Sequence, residues 1–218
     1  MKKNQRYFCA AGCFFLLFVL WTLAIQYIDV QPVGPRGSSV GFAELNLFFH
    51  DLLGVHMPIY TVTDWLGLVP LLVVAGFAVL GLTQLIKRKS LLKVDSDILA
   101  LGGFYIVVMA AYVLFEVFVI NYRPVLINGY LEASYPSSTT LLVMCVMPTA
   151  VMQFNRRIKN KGIRKIVQYA ILAFTAFMVV GRIVSGVHWL TDILGGALLS
   201  AALVLLYYAV LKKLEKAN

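Results

Sequence analysis

The sequence predicts an all-α protein, an integral membrane bundle of six transmembrane helices with both termini cytoplasmic and one further helix lying in the outer interface. Three observations predict it. Of 218 residues, 61% are hydrophobic and only 13% charged, against about 25% charged in a soluble domain; the mean hydropathy is +0.84. Six apolar runs reach or approach the roughly 20 residues that cross a bilayer as a helix. The basic residues, apart from three arginines, fall into four clusters that alternate with those runs. No repeat, low-complexity tract or composition shift divides the chain, so a single domain is expected over 1–218.

The first span, about 7–28, follows Lys2, Lys3 and Arg6. Its apolar stretch is longer than the roughly 7–15 residues of a signal-peptide core and no small-x-small cleavage pattern follows, so it reads as an uncleaved helix. An outer loop is expected over 29–64. It opens with turn residues, Gln31 to Ser39, and continues as FAELNLFFHDLL, where apolar residues at 42, 45, 48, 49, 52 and 53 share one helical face and predict a helix in the interface. Spans follow at about 65–86, 98–120, 137–154, 166–184 and 191–211. The run at 137–154 is the shortest and begins with Ser137, Ser138, Thr139 and Thr140, so its start belongs to a wet region. Cys9, Cys13 and Cys145 all lie inside apolar runs and read as small buried hydrophobes.

Lysine and arginine in short loops mark the cytoplasmic side. They precede the first span and follow the second, fourth and sixth, as Lys87 to Lys93, Arg156 to Lys165 and Lys212 to Lys216. The net charge of +9 is therefore a topology signal rather than a nucleic-acid footprint, and the expected partners are membrane lipids. The exceptions are Arg36, Arg123 and Arg182, all placed on or near the outer face. An arginine near the membrane is costly without a role.

With this topology, four segments deliver polar groups to one depth. The third span ends near Arg123-Pro124, the fourth starts at Pro136-Ser137-Ser138-Thr139, the fifth ends at Arg182, and the sixth begins after His188 and contains Asp192. Arginine offers planar, paired donors that match phosphate oxygens. A helix start presents free N–H groups to an anion, so Ser137, Ser138 and Thr139 are candidate phosphate contacts. His188 and Asp192 are four apart on one helical face, and a carboxylate bonded to one ring nitrogen makes the other a better nucleophile or base.

The chain here resembles the type 2 phosphatidic acid phosphatase superfamily, membrane lipid phosphatases related to vanadium haloperoxidases. The family pattern is K-x6-R-P, then P-S-G-H, then S-R-x5-H-x3-D. GRIVSGVHWLTD, residues 181–192, matches Arg182, His188 and Asp192; NYRP matches Arg123 and Pro124; PSST matches Pro136 and Ser137. The resemblance implies that His188 forms a phosphohistidine, that Asp192 orients it, and that Arg123 and Arg182 hold the phosphate. It implies no metal and no cofactor. Together with the basic clusters, this reads as a cell-membrane enzyme whose site faces the extracytoplasmic side.

Three positions depart from that pattern. The lysine of the first block is Glu116, the serine opening the third block is Gly181, and the histidine that protonates the leaving oxygen in relatives is Thr139. Glu116 lies about 10 Å below Arg123 by helical rise and either pairs with an arginine or serves as a buried acid; His50 and His56 are the other candidate acids. One reading is a phosphatase for a lipid diphosphate such as a polyprenyl diphosphate, whose phosphate leaving group has a second pKa of about 6 and needs no donor. Another is a phosphatidate or phosphatidylglycerophosphate monophosphatase with a relocated acid. A third is a non-hydrolytic protein that binds or moves phospholipid headgroups.

Overall fold

The computed structural model describes residues 2–217. Met1 and Asn218, the ends of the expected domain, lie outside the described residues, as do the side chains of Lys2, Lys3 and Lys216. The described residues form eight α-helices: α1 (Lys2–Tyr27), α2 (Ala43–Leu53), α3 (Met57–Leu66), α4 (Leu68–Arg88), α5 (Ser96–Val117), α6 (Ser138–Arg157), α7 (Lys161–Val184) and α8 (Leu190–Ala217). Five stretches are long and apolar enough to cross a membrane: 4–27, 57–88, 96–117, 161–184 and 190–215.

The sixth expected span is α6, and it is built differently. It carries Thr140, Thr149, Gln153, Arg156 and Arg157 and is less apolar than the others, yet nine of its side chains, Thr140 and Gln153 among them, are buried. Leu141, Val143, Cys145, Val146 and Ala150 are each at most 1% exposed. Such a helix packs against protein on its sides, so its threonines and Gln153 find partners in the bundle: Thr149 donates to Cys145 O at 2.8 Å and Gln153 to the Tyr207 hydroxyl at 2.5 Å. The outer helices turn their large apolar side chains outward instead. On α1, Phe15, Leu16, Leu17 and Leu20 are about half exposed, the surface expected where lipid is the solvent. Cys9 and Cys13 belong to that outward face, and only Cys145 is buried.

The expected outer loop over 29–64 is shortened by the structure. Residues 57–66 are helical, with Pro58 in the first turn, where its missing N–H costs nothing. Only Gly67 separates α3 from α4. Within the remaining loop, α2 forms where the FAELNLFFHDLL pattern placed it. Phe48 and Leu52 on its apolar face are exposed, and Ala43 and Asn46 face inward. Asn46 Nδ2 donates to Gly41 O at 2.8 Å and to Thr191 Oγ1 at 3.0 Å, docking α2 on the start of α8.

The helix directions sort polar groups to the two ends. At one end, Arg156 and Arg157 at the close of α6 meet Asp97 at the start of α5, with Glu215 near the end of α8. About 30 Å away by helical rise, the end of α5, the start of α6, the end of α7 and the start of α8 come together. Between α5 and α6 the chain makes a short excursion closed by bridges between Tyr122 and Ala133 and between Ile127 and Tyr130. Arg123 N donates to Glu132 O at 3.0 Å and Ser134 N to Asn121 O at 2.9 Å. That pairing holds Asn121, Arg123 and Ser134 over the mouth of the bundle.

Candidate active site

His188 sits in the turn between α7 and α8. The turn depends on Gly186, whose φ of +67° favours glycine; a Cβ there would stand 2.1 Å from Gly54 O. The imidazole is almost wholly buried. Its Nδ1 lies 2.9 Å from Ser134 Oγ, and Ser134 Oγ donates to Asp192 Oδ2 at 2.5 Å. A hydroxyl has one proton. Since Ser134 gives that proton to Asp192, it accepts from His188, which fixes the ring proton on Nδ1 and leaves the Nε2 lone pair free.

The expected direct contact between His188 and Asp192 is thereby corrected. The closest approach, Nδ1 to Oδ2, is 4.0 Å, too long for a hydrogen bond, and Ser134 is the relay between them. Asp192 is held by two further donors, Asn121 Nδ2 at 3.2 Å and the Trp189 N–H at 2.9 Å. Burial, then the positive charges of Arg123 and Arg182, push the proton affinity of His188 well below its ordinary value; a hydrogen bond with Ser134 works the other way. The ring is thus held neutral, with a free Nε2 lone pair of the kind a base or nucleophile needs.

Both sequence-predicted arginines reach this point. Arg182 is 1% exposed and Arg123 9%, and their guanidinium carbons lie 5.1 and 5.7 Å from the ring centre of Tyr60 on α3, an aromatic floor beneath both cations. Arg182 Nη2 donates to Asp64 Oδ1 at 3.1 Å and also to Thr139 Oγ1. Arg123 Nε stands 3.2 Å from Glu132 Oε2 with its hydrogen turned away. The result is a set of buried groups without a hydrogen-bond partner among the described residues: Nε and Nη1 of both arginines, and His188 Nε2. Unpaired buried donors are expensive, and four of them beside one nucleophilic nitrogen form a site shaped for an anion rich in oxygen.

The other expected residues fall around this centre. Ser137 is fully buried, its N–H given to Asp192 O at 3.0 Å and its Oγ accepting from Thr140. Ser138 and Thr139 open α6 and line a cavity of about 350 Å³ together with Asp64, Leu71, Met109 and Tyr112. Glu116 does not pair with either arginine among the described residues; Asp64 and Glu132 take that role. It lies beside Tyr112 and Ser138 in a smaller pocket. His50 shares a cleft with His188 on the α2 side but packs on Trp189, ring centres 5.5 Å apart. His56 is tied to its own loop through Leu53 O at 2.8 Å. No group of three or more His, Cys, Asp or Glu side chains among the described residues is placed to hold a metal ion.

Tyr60, Asp64, Asn121, Glu132 and Ser134 are site residues that the sequence reading passed over. Ser134 stands two residues before the P-S pair and carried no periodic signal. Tyr60 and Asp64 were hidden inside a supposed loop, although Pro58 just ahead of them is a helix-start signal.

Fold and site together define a membrane-embedded helical protein with an arginine clamp around a histidine. Residues 71–216 match the PAP2 superfamily, more than half of the chain, and the chain belongs to that superfamily. Among solved structures it is similar to one described as the first transmembrane PAP2 type phosphatidylglycerolphosphate phosphatase from Bacillus subtilis. The TM-score is 0.66 over 94% of this chain and 96% of that one, at 16% identity, which is a likeness of fold. No curated protein sequence matches the chain.

Proposed function

We propose that the protein hydrolyses the phosphate of a membrane lipid through a phosphohistidine formed at His188 Nε2. The observation that carries this reading is the pinned, neutral imidazole: Nδ1 is committed to Ser134, and Nε2 is left unpartnered within the field of Arg123 and Arg182, whose Nε and Nη1 donors are unpartnered too. A binder of headgroups needs the arginines but has no use for a relay that orients a nucleophile. This weighs against a non-hydrolytic headgroup carrier. The phosphate would sit between Arg123 and Arg182 with the N–H groups opening α6 beneath it. The basic helix ends lie at the far end of the bundle, which supports a site opening to the extracytoplasmic leaflet of the cell membrane.

Two substrate classes fit. A lipid diphosphate such as a polyprenyl diphosphate expels a phosphate and needs no proton donor, which suits Thr139. A lipid monophosphate such as phosphatidate or phosphatidylglycerophosphate expels an alkoxide and needs one, and the carboxylate of Asp64 beside Thr139 favours this second class. The test is phosphate release from lipid mono- and diphosphates by wild type and His188→Ala, with acid-labile labelled phosphate trapped on the wild type. Turnover and labelling should vanish in the variant. Release that persists in His188→Ala would defeat the reading.

A further inference from the structure

Thr139 stands where relatives carry their proton donor, and a threonine hydroxyl does not protonate an alkoxide near neutral pH. The donor for a monoester must then come from another element, and the geometry points to α3. Asp64 Oδ1 accepts from Arg182 Nη2 at 3.1 Å, and the same nitrogen donates to Thr139 Oγ1. One nitrogen atom therefore holds the carboxylate and the hydroxyl side by side. Arg182 is buried, with 2% of its side chain exposed, while 56% of the Asp64 side chain is open. Asp64 lines the cavity of about 350 Å³ that begins at Ser138 and Thr139 and continues along Leu71 and Met109, an apolar path suited to the leaving lipid.

A second departure from the family pattern accounts for how α3 comes so near. A Cβ built on Gly181 would lie 2.6 Å from Thr63 Cγ2. The serine of relatives would hold α3 away from α7 at this level, and glycine lets it close. Thr63 is the neighbour of Asp64, so Gly181 and Thr139 are two parts of one change: the first admits the helix that carries a new acid, and the second replaces the old one. Glu116 and His50 line other pockets, without Thr139 or Asp64.

We propose that Asp64 is the general acid of this enzyme, supplied from α3 in place of a histidine at 139; the proposal rests on reading the site as a phosphohistidine phosphatase. In the resting protein the carboxylate is the counter-anion of Arg182. A phosphate monoester entering as its monoanion takes over the Arg182 N–H groups. Its proton passes to Asp64, whose carboxylate now faces an anion instead of a cation. The Nε2 lone pair of His188 then bonds to phosphorus while the bond from phosphorus to the lipid oxygen breaks. Asp64 gives its proton to that oxygen, so the lipid departs as an alcohol. In the second half, water attacks the phosphohistidine and loses a proton to Asp64. The P–N bond breaks, its electron pair returns to Nε2, and the phosphate takes the proton back from Asp64 and leaves as dihydrogen phosphate, which restores the carboxylate.

The experiment compares wild type, Asp64→Asn and Asp64→Glu as purified full chains in detergent on dioleoyl phosphatidate, farnesyl diphosphate and p-nitrophenyl phosphate. A general acid contributes about 10²–10⁴-fold. Asp64→Asn should lose that factor in kcat on phosphatidate and less than about tenfold on the two substrates with good leaving groups. The alkaline fall of the wild-type kcat profile on phosphatidate should flatten, and Asp64→Glu should recover part of the rate. Equal losses on all three substrates would mean that Asp64 only steadies Arg182, and no loss would mean that it does neither; each outcome overturns the proposal. A wild type inactive on every substrate fails the phosphatase reading and this one together, whereas uniform losses beside an active wild type fail this one alone.

Discussion

Ser134 has one hydroxyl proton and two neighbours that want a say in where it goes. It gives the proton to Asp192 and takes another from His188. Ser134→Ala leaves the His188 N–H without its acceptor and removes one donor from a buried carboxylate, at about 1–3 kcal/mol. If that loss falls on the transition state, kcat drops about ten- to a hundredfold with KM little changed, which steady-state kinetics will read. The same relay fixes a spectroscopic signature. Nitrogen-15 NMR of labelled histidine should show His188 still neutral, protonated on Nδ1, at pH values below the ordinary histidine value of about 6.5. Titration near 6.5 would contradict the burial and arginine fields described above. The sign for stability follows: the folded state binds fewer protons than the unfolded chain, so this group costs stability as pH falls below about 6.5 and none above.

Among the elements, α3 is the one whose placement matters most and whose helix is least legible in the sequence. Gly181→Ser should force α3 away from α7 and destabilise the fold by about 1–3 kcal/mol, the usual cost of overpacking, while weakening the Arg182–Asp64 contact. Thr63→Ser removes the methyl that the new side chain would strike. In a double-mutant cycle read by thermal unfolding in detergent, the pair should be less damaging than Gly181→Ser alone; simple addition of the two effects would argue against the close approach. This element also shows what a sequence can yield. The apolar runs, the α2 face and the spacing of Arg182, His188 and Asp192 were legible because period and spacing are local. α3 was missed because His56, Thr61, Thr63 and Asp64 broke the apolar run, although the helix they build is continuous with α4 but for Gly67. Nothing local tells that Asp64 will meet a residue 118 positions away, nor that Ser134 will stand between two residues already paired by their spacing. The polar character of α6 was visible, but its reason, enclosure by the other helices, belongs to packing.

Over the whole molecule, the separation of the basic helix ends from the site predicts a topology that can be measured. In a variant lacking Cys9, Cys13 and Cys145, a single cysteine at Gly129 should react with a membrane-impermeant maleimide added to intact cells, and one at Lys89 only after lysis. The reverse pattern would turn the site to the cytoplasm. One tie across the bundle has a further meaning. Trp21 on α1 donates to Thr191 O at 3.1 Å, and Thr22 shares a hydrogen bond of 2.6 Å with the Tyr135 hydroxyl; Tyr7 meets Tyr208 edge to face at 4.8 Å. The helix α1 thus has its seat on α8, which is made more than 160 residues later. Until α8 emerges, α1 waits in the bilayer with lipid where protein will be, and a chain halted before residue 190 can neither dock its opening segment nor assemble its chemistry.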